Sequence, residues 1–399
     1  MSPTTRLQDA LPALDHAVLQ SLLGQSLLCT QDWSDAQIDQ LLAVARAFET
    51  LDRAGVKADL LPNELAWALF FDNSTRTKSA WAGAATRLGM QPVIVDGSST
   101  QIAHGETSAE TGAMLGMNSH AMGVRHDLIL GQGRALMREM KQGIDEYLAA
   151  TDQPRKVPLV NLQCDLDHPT QTLADLQWLR ERLGGLQAPG QPGSARPSDA
   201  LRGKRIAMSW AYSPSYAKPL SVPQGIIMLL TRSGADVVLA HPEGYELLPE
   251  ALEAARANAA RSGGRFSVTG SMDEAFAGAD AVYPKSWGPL ALMHARVDAA
   301  ADKKALGEIE QKALAVNATH KDWICDARRM ALTRGGKALY LHCLPADIGA
   351  EVTPDVMEGA RIDVAREAQK KVYAIMALLA VAKVEGLAAR LQSLAGGRA

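Results

Sequence analysis

Residues 65–79 read LAWALFFDNSTRTKS. The apolar first half, residues 65–71, is typical of a buried strand, and the polar second half opens a stretch with helical character that ends at the C-cap residue Gly89. Hydroxyls, free backbone N–H groups and an arginine at the start of a helix attract an anion such as phosphate, because the helix dipole is positive there. A plain Ser/Thr helix cap beside a solvated arginine explains the same run equally well.

The same alternation of apolar runs and helical stretches continues along the chain. We predict strands at residues 65–71, 92–95, 121–124, 159–162, 204–210, 235–240, 279–283 and 338–341. We predict helices at residues 34–53, 173–183 and 365–385, the first opened by a capping box of Ser34 and Gln37. Strands separated by helices pair in parallel, so the fold class is predicted to be α/β, with two tandem doubly wound parallel-sheet domains.

Composition restricts the classes of function. A chain of 399 residues is long enough for two hydrophobic cores, and its net charge of −3 argues against a nucleic-acid partner. The longest apolar run, residues 372–382, is too short to cross a bilayer, and no signal peptide is recognised, so we expect a cytoplasmic protein without a membrane partner. The four cysteines are scattered, which predicts reduced thiols.

Two proline-rich segments interrupt the pattern. Residues 187–198 are predicted to be a surface excursion without function. Residues 213–224 contain three prolines where a short strand-to-helix connection is expected, which makes them a candidate functional loop.

Further polar clusters follow other predicted strands. Arg125 ends one strand, and the runs at residues 168–171 (His-Pro-Thr-Gln), 283–288 (Tyr-Pro-Lys-Ser-Trp-Gly) and 342–345 (His-Cys-Leu-Pro) end three more. Each alone is explained by a turn, a loop or an ion pair. Ligands of open α/β sheets bind at the carboxyl ends of strands, however, and together these clusters would surround one crevice between two domains. No metal site is expected at His342 and Cys343, because adjacent strand residues point to opposite faces.

Three of these motifs, in this order, resemble the aspartate/ornithine carbamoyltransferase superfamily: Ser-Thr-Arg-Thr at 74–77, His-Pro-Thr-Gln at 168–171 and His-Cys-Leu-Pro at 342–345. The resemblance extends from about residue 27 to residue 384. Residues 213–224 and 283–288 resemble the knotted branch, which includes the N-acetylornithine and N-succinylornithine carbamoyltransferases. Residues 101–107 and Asp347 resemble its catabolic transcarbamylases of unassigned amino acceptor. A knotted second domain is implied by this resemblance alone.

The resemblance implies a role for each matching residue. Carbamoyl phosphate would be held by Ser74, Thr75, Arg76, Thr77, Arg125, His168, Gln171, Cys343, Leu344 and Lys371. The catalytic residues among them would be Arg76, Arg125, His168 and Gln171, which polarise the carbamoyl carbonyl or bind its amino group. The acceptor would contact Lys218, Lys285, Trp287 and Cys343. No cofactor and no metal are implied.

The resemblance also implies an assembly and a division of the chain. The chain is expected to form a homotrimer with shared active sites, in which His104 reaches the site of a neighbouring subunit. Residues 1–160 would bind carbamoyl phosphate, residues 161–363 would bind the acceptor, and residues 364–399 would form a helix that packs back on the first domain. Lys78, His104 and Lys371 depart from the residues usual in the superfamily and leave the acceptor open.

The implied reaction moves a carbamoyl group from carbamoyl phosphate to an amine or amide, or runs in reverse as phosphorolysis. Ordinary ornithine is disfavoured as the acceptor by the altered segment at 283–288. A non-catalytic homologue that only binds carbamoyl phosphate is the alternative, but His168, Gln171 and the two arginines argue against it, since a binder need not polarise a carbonyl. A nucleotide-dependent α/β enzyme ranks last, because no glycine-rich phosphate motif follows a strand.

Overall fold

The computed structural model describes residues 7–184 and 199–397. The first sheet contains β1 (Leu65–Phe70), β2 (Gln91–Asp96), β3 (Ala121–Arg125) and β4 (Leu159–Gln163). Its strand order is β2-β1-β3-β4, and each pairing is parallel. Parallel strands covered on both faces need continuous apolar runs, which is the pattern that β1, β3 and β4 carry.

The helices of this half include α1 (His16–Ser21), α2 (Asp35–Arg53), α3 (Arg76–Arg87), α4 (Ser108–Gly116), α5 (Gln132–Ala150) and α6 (Pro169–Arg182). The capping box predicted for α2 is confirmed. The Gln37 N–H donates to Ser34 Oγ at 3.2 Å, and the Ser34 N–H donates to Gln37 Oε1 at 2.9 Å. Helix α2 buries its apolar face, including Leu41 and Phe48, in the core.

The second sheet contains β5 (Arg205–Ser209), β6 (Asp236–Ala240), β7 (Arg265–Thr269), β8 (Ala281–Pro284) and β9 (Leu339–Tyr340). Its order is β7-β6-β5-β8-β9, again parallel throughout. Its helices include α7 (Ser221–Leu230), α8 (Pro249–Ser262), α9 (Met272–Phe276), α10 (Leu290–Asp298), α11 (Lys303–Asn317) and α12 (Ala327–Leu332). The prediction of an α/β protein with two parallel-sheet domains is confirmed.

The chain ends with α13 (Pro354–Lys383) and α14 (Leu387–Gly396). Helix α13 packs against α2, α3 and α6. Lys370 of α13 is buried, and its Nζ lies 2.6 Å from Glu49 of α2 and also contacts Glu181 of α6. A buried cation between two carboxylates fixes how the three helices meet.

The structure changes both expected domain boundaries. A boundary at residues 160 and 161 falls inside β4, which pairs with β3 and so belongs to the first sheet. A boundary at residues 363 and 364 falls inside α13, which begins at Pro354 and is continuous. The predicted excursion at residues 187–198 lies outside the described residues. Within residues 7–184 and 199–397, no helix is both long and apolar enough to span a membrane.

Candidate active site

A cavity of about 540 Å³ lies where the carboxyl ends of the two sheets meet. Its wall combines the loops after β1 and β3, His168, the loop at residues 216–222 and the segments after β8 and β9. The strand order of the two sheets reverses between β1 and β3 and between β5 and β8, and ligands of open α/β sheets bind at such reversals. A larger groove of about 910 Å³ opens beside α12 and α13 at the amino end of β9, away from these strand ends.

The loop between β1 and α3 presents the start of α3 to the cavity, and residues 72–77 all line it. The Thr77 N–H donates to Ser74 Oγ at 3.2 Å, whereas the N-cap residue Thr75 makes no capping hydrogen bond with its side chain. The Thr75 hydroxyl and the positive end of the helix dipole therefore face the cavity, where they favour an anion. This geometry supports the anion-site hypothesis over a plain helix cap.

Arg76 joins the two halves of the molecule across the cavity. Its Nε donates to the carbonyl of Cys343 at 3.2 Å, and its Nη2 donates to the carbonyl of Leu344 at 2.5 Å. Leu344 has a φ of +54°, in the left-handed region that non-glycine residues rarely occupy. The guanidinium thus holds an unusual turn of the second half against the start of α3.

Beside it, the end of β3 carries a group of charged side chains. Arg125 Nη2 lies 2.8 Å from Asp127 Oδ2. The Asp127 N–H donates to Asp72 Oδ2 at 2.7 Å, and His126 Nδ1 lies 3.3 Å from the same oxygen. Burial alone would raise the pKa of Asp72, but these contacts lower it. Burial raises the pKa of Asp127 to about 7 despite the nearby Arg125, and the charge of Asp72 adds to this rise.

His168 is the N-cap of α6, and its side chain lines the cavity although it is 3% exposed. Burial lowers the pKa of His168 well below its ordinary value, and the cations of the cavity wall lower it further. The imidazole is therefore neutral at pH 7. Thr170 Oγ1 lies 3.4 Å from Nδ1, so a ring that accepts a hydrogen bond there can donate from Nε2 to a carbonyl oxygen.

Gln171 lies one turn further along α6, behind the cavity wall. Its Nε2 donates to Asp175 Oδ1 at 2.6 Å, which leaves its amide oxygen directed away from Asp175. Asp175 also accepts from the Tyr283 hydroxyl at 3.3 Å and contacts Glu367 of α13. Burial raises the pKa of Glu367 well above its ordinary value, and Asp175 adds to this.

Lys371 extends from α13 to the cavity, where its Nζ donates to Thr77 Oγ1 at 3.5 Å. Burial lowers the pKa of Lys371 to about 8. The ammonium is mostly protonated at pH 7, so it adds a positive charge at the start of α3.

The second half contributes two buried lysines in different environments. Lys285 Nζ donates to the Ser286 carbonyl at 2.8 Å, and in the described part of the chain no carboxylate lies within ion-pair distance of it. Burial lowers its pKa. Lys218 Nζ instead lies 2.8 Å from Glu351 and 2.9 Å from Asp347, and these carboxylates raise its pKa although burial opposes them.

Glu351 connects the loops that carry these lysines. Besides Lys218, it accepts from the Ser286 N–H at 2.6 Å and the Asp347 N–H at 2.8 Å, and it lies 3.5 Å from His342 Nε2. These contacts lower the pKa of Glu351 although burial opposes them. Glu351 has no motif around it in the sequence, so sequence analysis missed it. Asp127 and Tyr216, which also line the cavity, were missed too, although each lies close to a residue or loop that was singled out.

The cavity wall has an excess of positive charge. Lys218 is offset by Glu351 and Asp347, which leaves Arg76, Arg125, Lys285 and Lys371 against the lining carboxylates Asp72 and Asp127, in a chain whose net charge is −3. Buried cations without enough carboxylate partners favour an anionic ligand.

Most residues singled out in the sequence lie on this wall: Ser74, Thr75, Arg76, Thr77, Arg125, His168, Lys218, Lys285, Cys343, Leu344 and Lys371. Three do not. Gln171 lies behind the wall, and His104 is exposed in a short turn outside it. Trp287 corrects our expectation of an acceptor contact: its indole is fully buried and donates to the Tyr245 carbonyl at 2.8 Å, so it supports the loop from within the core.

Comparison with known proteins matches each half of the chain to a domain of the same family. Residues 25–181 match the family model described as aspartate/ornithine carbamoyltransferase, carbamoyl-P binding domain. Residues 221–382 match the companion model, aspartate/ornithine carbamoyltransferase, Asp/Orn binding domain.

Individual relatives are named as carbamoyltransferases too, in agreement with these domain matches. The Escherichia coli K12 protein named "Putative carbamoyltransferase YgeW" is 46% identical over 387 residues, 95% of either chain. The N-acetylornithine carbamoyltransferase of Xanthomonas campestris is 29% identical over 368 residues, which cover 88% of this chain and 96% of that one.

Solved structures show the same fold. A single-residue mutant of N-acetyl-L-ornithine transcarbamylase complexed with carbamyl phosphate and N-succinyl-L-norvaline matches with a TM-score of 0.71 and 27% identity, over 89% of this chain and 99% of that one. An acetylornithine transcarbamylase complexed with acetylcitrulline matches with the same score and identity, over 89% and 98%. The resemblance of the three motifs is thereby confirmed, and the chain belongs to the aspartate/ornithine carbamoyltransferase family.

Proposed function

We propose that this carbamoyltransferase uses the cavity between its two sheets to move the carbamoyl group of carbamoyl phosphate to the amine of a small acceptor that also carries a carboxylate. The observation that carries the proposal is the cationic wall, which joins a helix N-terminus in the first half to Lys285 in the second, a lysine without a carboxylate partner in the described part of the chain. One end suits a phosphate and the other a second anionic group.

The first half supplies the phosphate site. Backbone N–H groups at the start of α3, with the hydroxyls of Ser74, Thr75 and Thr77, form a cradle of donors. Arg125 and Lys371 add positive charge on either side. A phosphate that leaves with more negative charge than it had in the substrate gains most from such fixed donors.

The carbamoyl group would then lie against His168 and Arg76. A neutral His168 donates from Nε2 to the carbonyl oxygen without competing with the phosphate for positive charge. Gln171, oriented by Asp175, directs its amide oxygen to the amino group of the carbamoyl. Attack by the amine produces a tetrahedral oxyanion, which these donors stabilise without rearrangement.

The acceptor is proposed to be an amine with a carboxylate that pairs with Lys285. This lysine has no carboxylate partner among the described residues, whereas neighbouring Lys218 is neutralised by Glu351 and Asp347. N-Succinyl-L-norvaline and acetylcitrulline, named for the solved relatives, are N-acylated amino acids, which supports this class. Reversal of the same steps gives phosphorolysis of a carbamoylated compound.

The assembly that we propose is a homotrimer in the cytoplasm, with a knotted second domain. The exposed turn that ends at His104 lies outside the cavity of its own chain, which is consistent with a role in the site of a neighbouring subunit. The likeness to N-acetyl-L-ornithine transcarbamylase supports the knot.

The test is phosphate release from carbamoyl phosphate by the purified protein with ornithine, N-acetylornithine, N-succinylornithine, 2,3-diaminopropionate, aspartate, oxamate and putrescine. We expect release above background with one carboxylate-bearing member and none with putrescine, which lacks a carboxylate. Lys285→Met should raise KM for that acceptor at least tenfold and leave binding of carbamoyl phosphate unchanged. Binding of carbamoyl phosphate without release for any member would contradict this proposal and favour a binding-only homologue.

A further inference from the structure

Two carboxyl groups line the cavity between the phosphate end and the acceptor end, and the function proposed above gives neither a role. Asp127 follows the end of β3, and Asp72 follows the end of β1. Asp127 is 1% exposed; Arg125 pairs with it and its carboxyl group contacts that of Asp72, but no backbone N–H of the described residues donates to its carboxylate oxygens. A buried carboxylate at a cavity surface without such donors is costly, so its retention needs a chemical reason.

The surroundings of the two carboxyl groups shift their pKa values in opposite directions. Asp72 accepts from the Asp127 N–H at 2.7 Å and lies 3.3 Å from His126 Nδ1, and these contacts stabilise its charged form. Asp127 pairs with Arg125 Nη2 at 2.8 Å, and its carboxyl group also contacts the Asp72 carboxyl group, whose charge and hydrogen bond both raise the pKa of Asp127. Pairs of carboxyl groups whose environments separate their pKa values are typical of acid–base sites.

Asp127 also faces the acceptor side. Its charge acts on Lys285, where it opposes the effect of burial, and on the phenol of Tyr216, both in the second half. Its own half provides Arg125, His126 and Asp72 around it. The carboxylate therefore pairs with the arginine proposed for the phosphate and shares the cavity wall with the lysine proposed for the acceptor, on which its charge acts.

The reaction needs a proton acceptor at this position. An alkylammonium has a pKa near 10 and cannot attack, and an amine that has attacked carries a positive charge on nitrogen until it loses a proton. We propose that the Asp127 carboxylate, with Asp72 beside it, accepts the proton that the attacking amine loses. This assignment rests on the function proposed above.

The step is balanced. The nitrogen lone pair forms the C–N bond, the carbonyl electrons move to oxygen, and a nitrogen-bound proton passes to Asp127. The electrons return from the oxyanion, the C–O bond to phosphate breaks, and inorganic phosphate leaves with that electron pair. Asp127 then gives its proton to the departing phosphate or to water, which regenerates the carboxylate.

The first test needs no acceptor. Titration calorimetry with carbamoyl phosphate at pH 7, in buffers of different ionisation enthalpy, measures the protons that binding takes up. The phosphate should raise the pKa of nearby Asp127 from about 7, and a rise of about one unit corresponds to about 0.4 proton per site. Asp127→Asn should bind but lose this uptake, whereas the same exchange at exposed Asp145, on α5 and remote from the cavity, should keep it.

The second test uses the acceptor that gives most phosphate release. We expect Asp127→Asn to lower kcat at least about 100-fold and to remove the decline of kcat toward acid pH. Asp72→Asn keeps an oxygen for the Asp127 N–H but removes the neighbouring charge, so the decline should move to lower pH. This variant tests the assignment even if Asp127→Asn fails to fold.

The possible results separate the two proposals. Equal proton uptake in wild type and Asp127→Asn, or an acid decline that neither variant alters, would overturn the role of Asp127 while leaving carbamoyl transfer intact. Failure of the wild type to bind carbamoyl phosphate would overturn the proposed function, and the role of Asp127 with it.

Discussion

Arg76 both connects the two halves of the molecule and contributes to the proposed phosphate site. Its Nε and Nη2 hold the Cys343 and Leu344 carbonyls, and its place at the start of α3 puts positive charge beside the proposed phosphate site. Arg76→Ala should lower kcat/KM for carbamoyl phosphate about 100- to 1,000-fold, because fixed donors to developing charge are lost. Arg256→Ala, an exposed change on α8, is the matched control. Near-normal turnover of Arg76→Ala would contradict the placement of the phosphate.

The lowered pKa of Lys371 predicts that the affinity for carbamoyl phosphate depends on pH. Burial lowers its pKa to about 8, so the free protein loses this positive charge as the pH rises through 8. The Kd for carbamoyl phosphate, measured by calorimetry from pH 6.5 to 9.5, should increase above pH 8. Lys371→Arg keeps its charge over this range, so its Kd should rise less above pH 8 than the Kd of the wild type. An identical alkaline rise in both proteins would exclude Lys371 as the cause.

At the level of single residues, motifs identified most of the cavity wall. The Ser-Thr-Arg-Thr and His-Cys-Leu-Pro runs lie where expected, because each follows a strand at the same edge of a parallel sheet. Asp127 and Glu351 were missed, since their importance arises from burial and from partners distant in the chain. Trp287 was expected to contact the acceptor, but its side chain packs into the core. The direction in which this side chain points depends on packing, which the sequence does not show.

Among the helices, α4 and α5 approach each other closely enough for a single substitution to test their packing. A Cβ on Gly143 of α5 would lie 2.0 Å from the Ala109 carbonyl oxygen of α4. Gly143→Ala must therefore separate the two helices and should destabilise the protein by about 1–3 kcal/mol. Gly359 of α13 has open space, so Gly359→Ala should stabilise by about 0.5–1 kcal/mol. Urea unfolding measures both, and equal effects would refute the packing argument.

Buried strands and helices were predicted from the sequence more accurately than exposed ones. Strands covered on both faces, such as β3 and β4, carry continuous apolar runs and were predicted within a residue or two. Strand β7 was missed because it lies at the sheet edge, where its residues are mostly exposed and its sequence, RFSVT, is mixed. Helix α13 was predicted too short, since its first half is largely polar and exposed.

For the whole molecule, the proposed shared site predicts complementation between subunits. Arg76→Ala removes the phosphate end of a chain's own cavity, and His104→Ala removes the group proposed to reach a neighbour. Each variant alone should be poorly active. Trimers reassembled from a mixture should recover part of the wild-type activity, because some sites combine two intact contributions. No recovery, in mixtures shown by mass spectrometry to contain both chains, would contradict the sharing of sites.

Helix α13 has a consequence for the order of events during synthesis. Its second half packs on α2 and α3, and the short helical segment at residues 7–10 packs on α14, so helices of the first half are covered by segments that follow the second sheet in the chain. Lys371 then reaches Thr77 across 294 positions of sequence. The first half therefore cannot complete its core or its phosphate cradle on the ribosome until α13 has emerged, and nascent chains that stop before α13 should remain sensitive to protease.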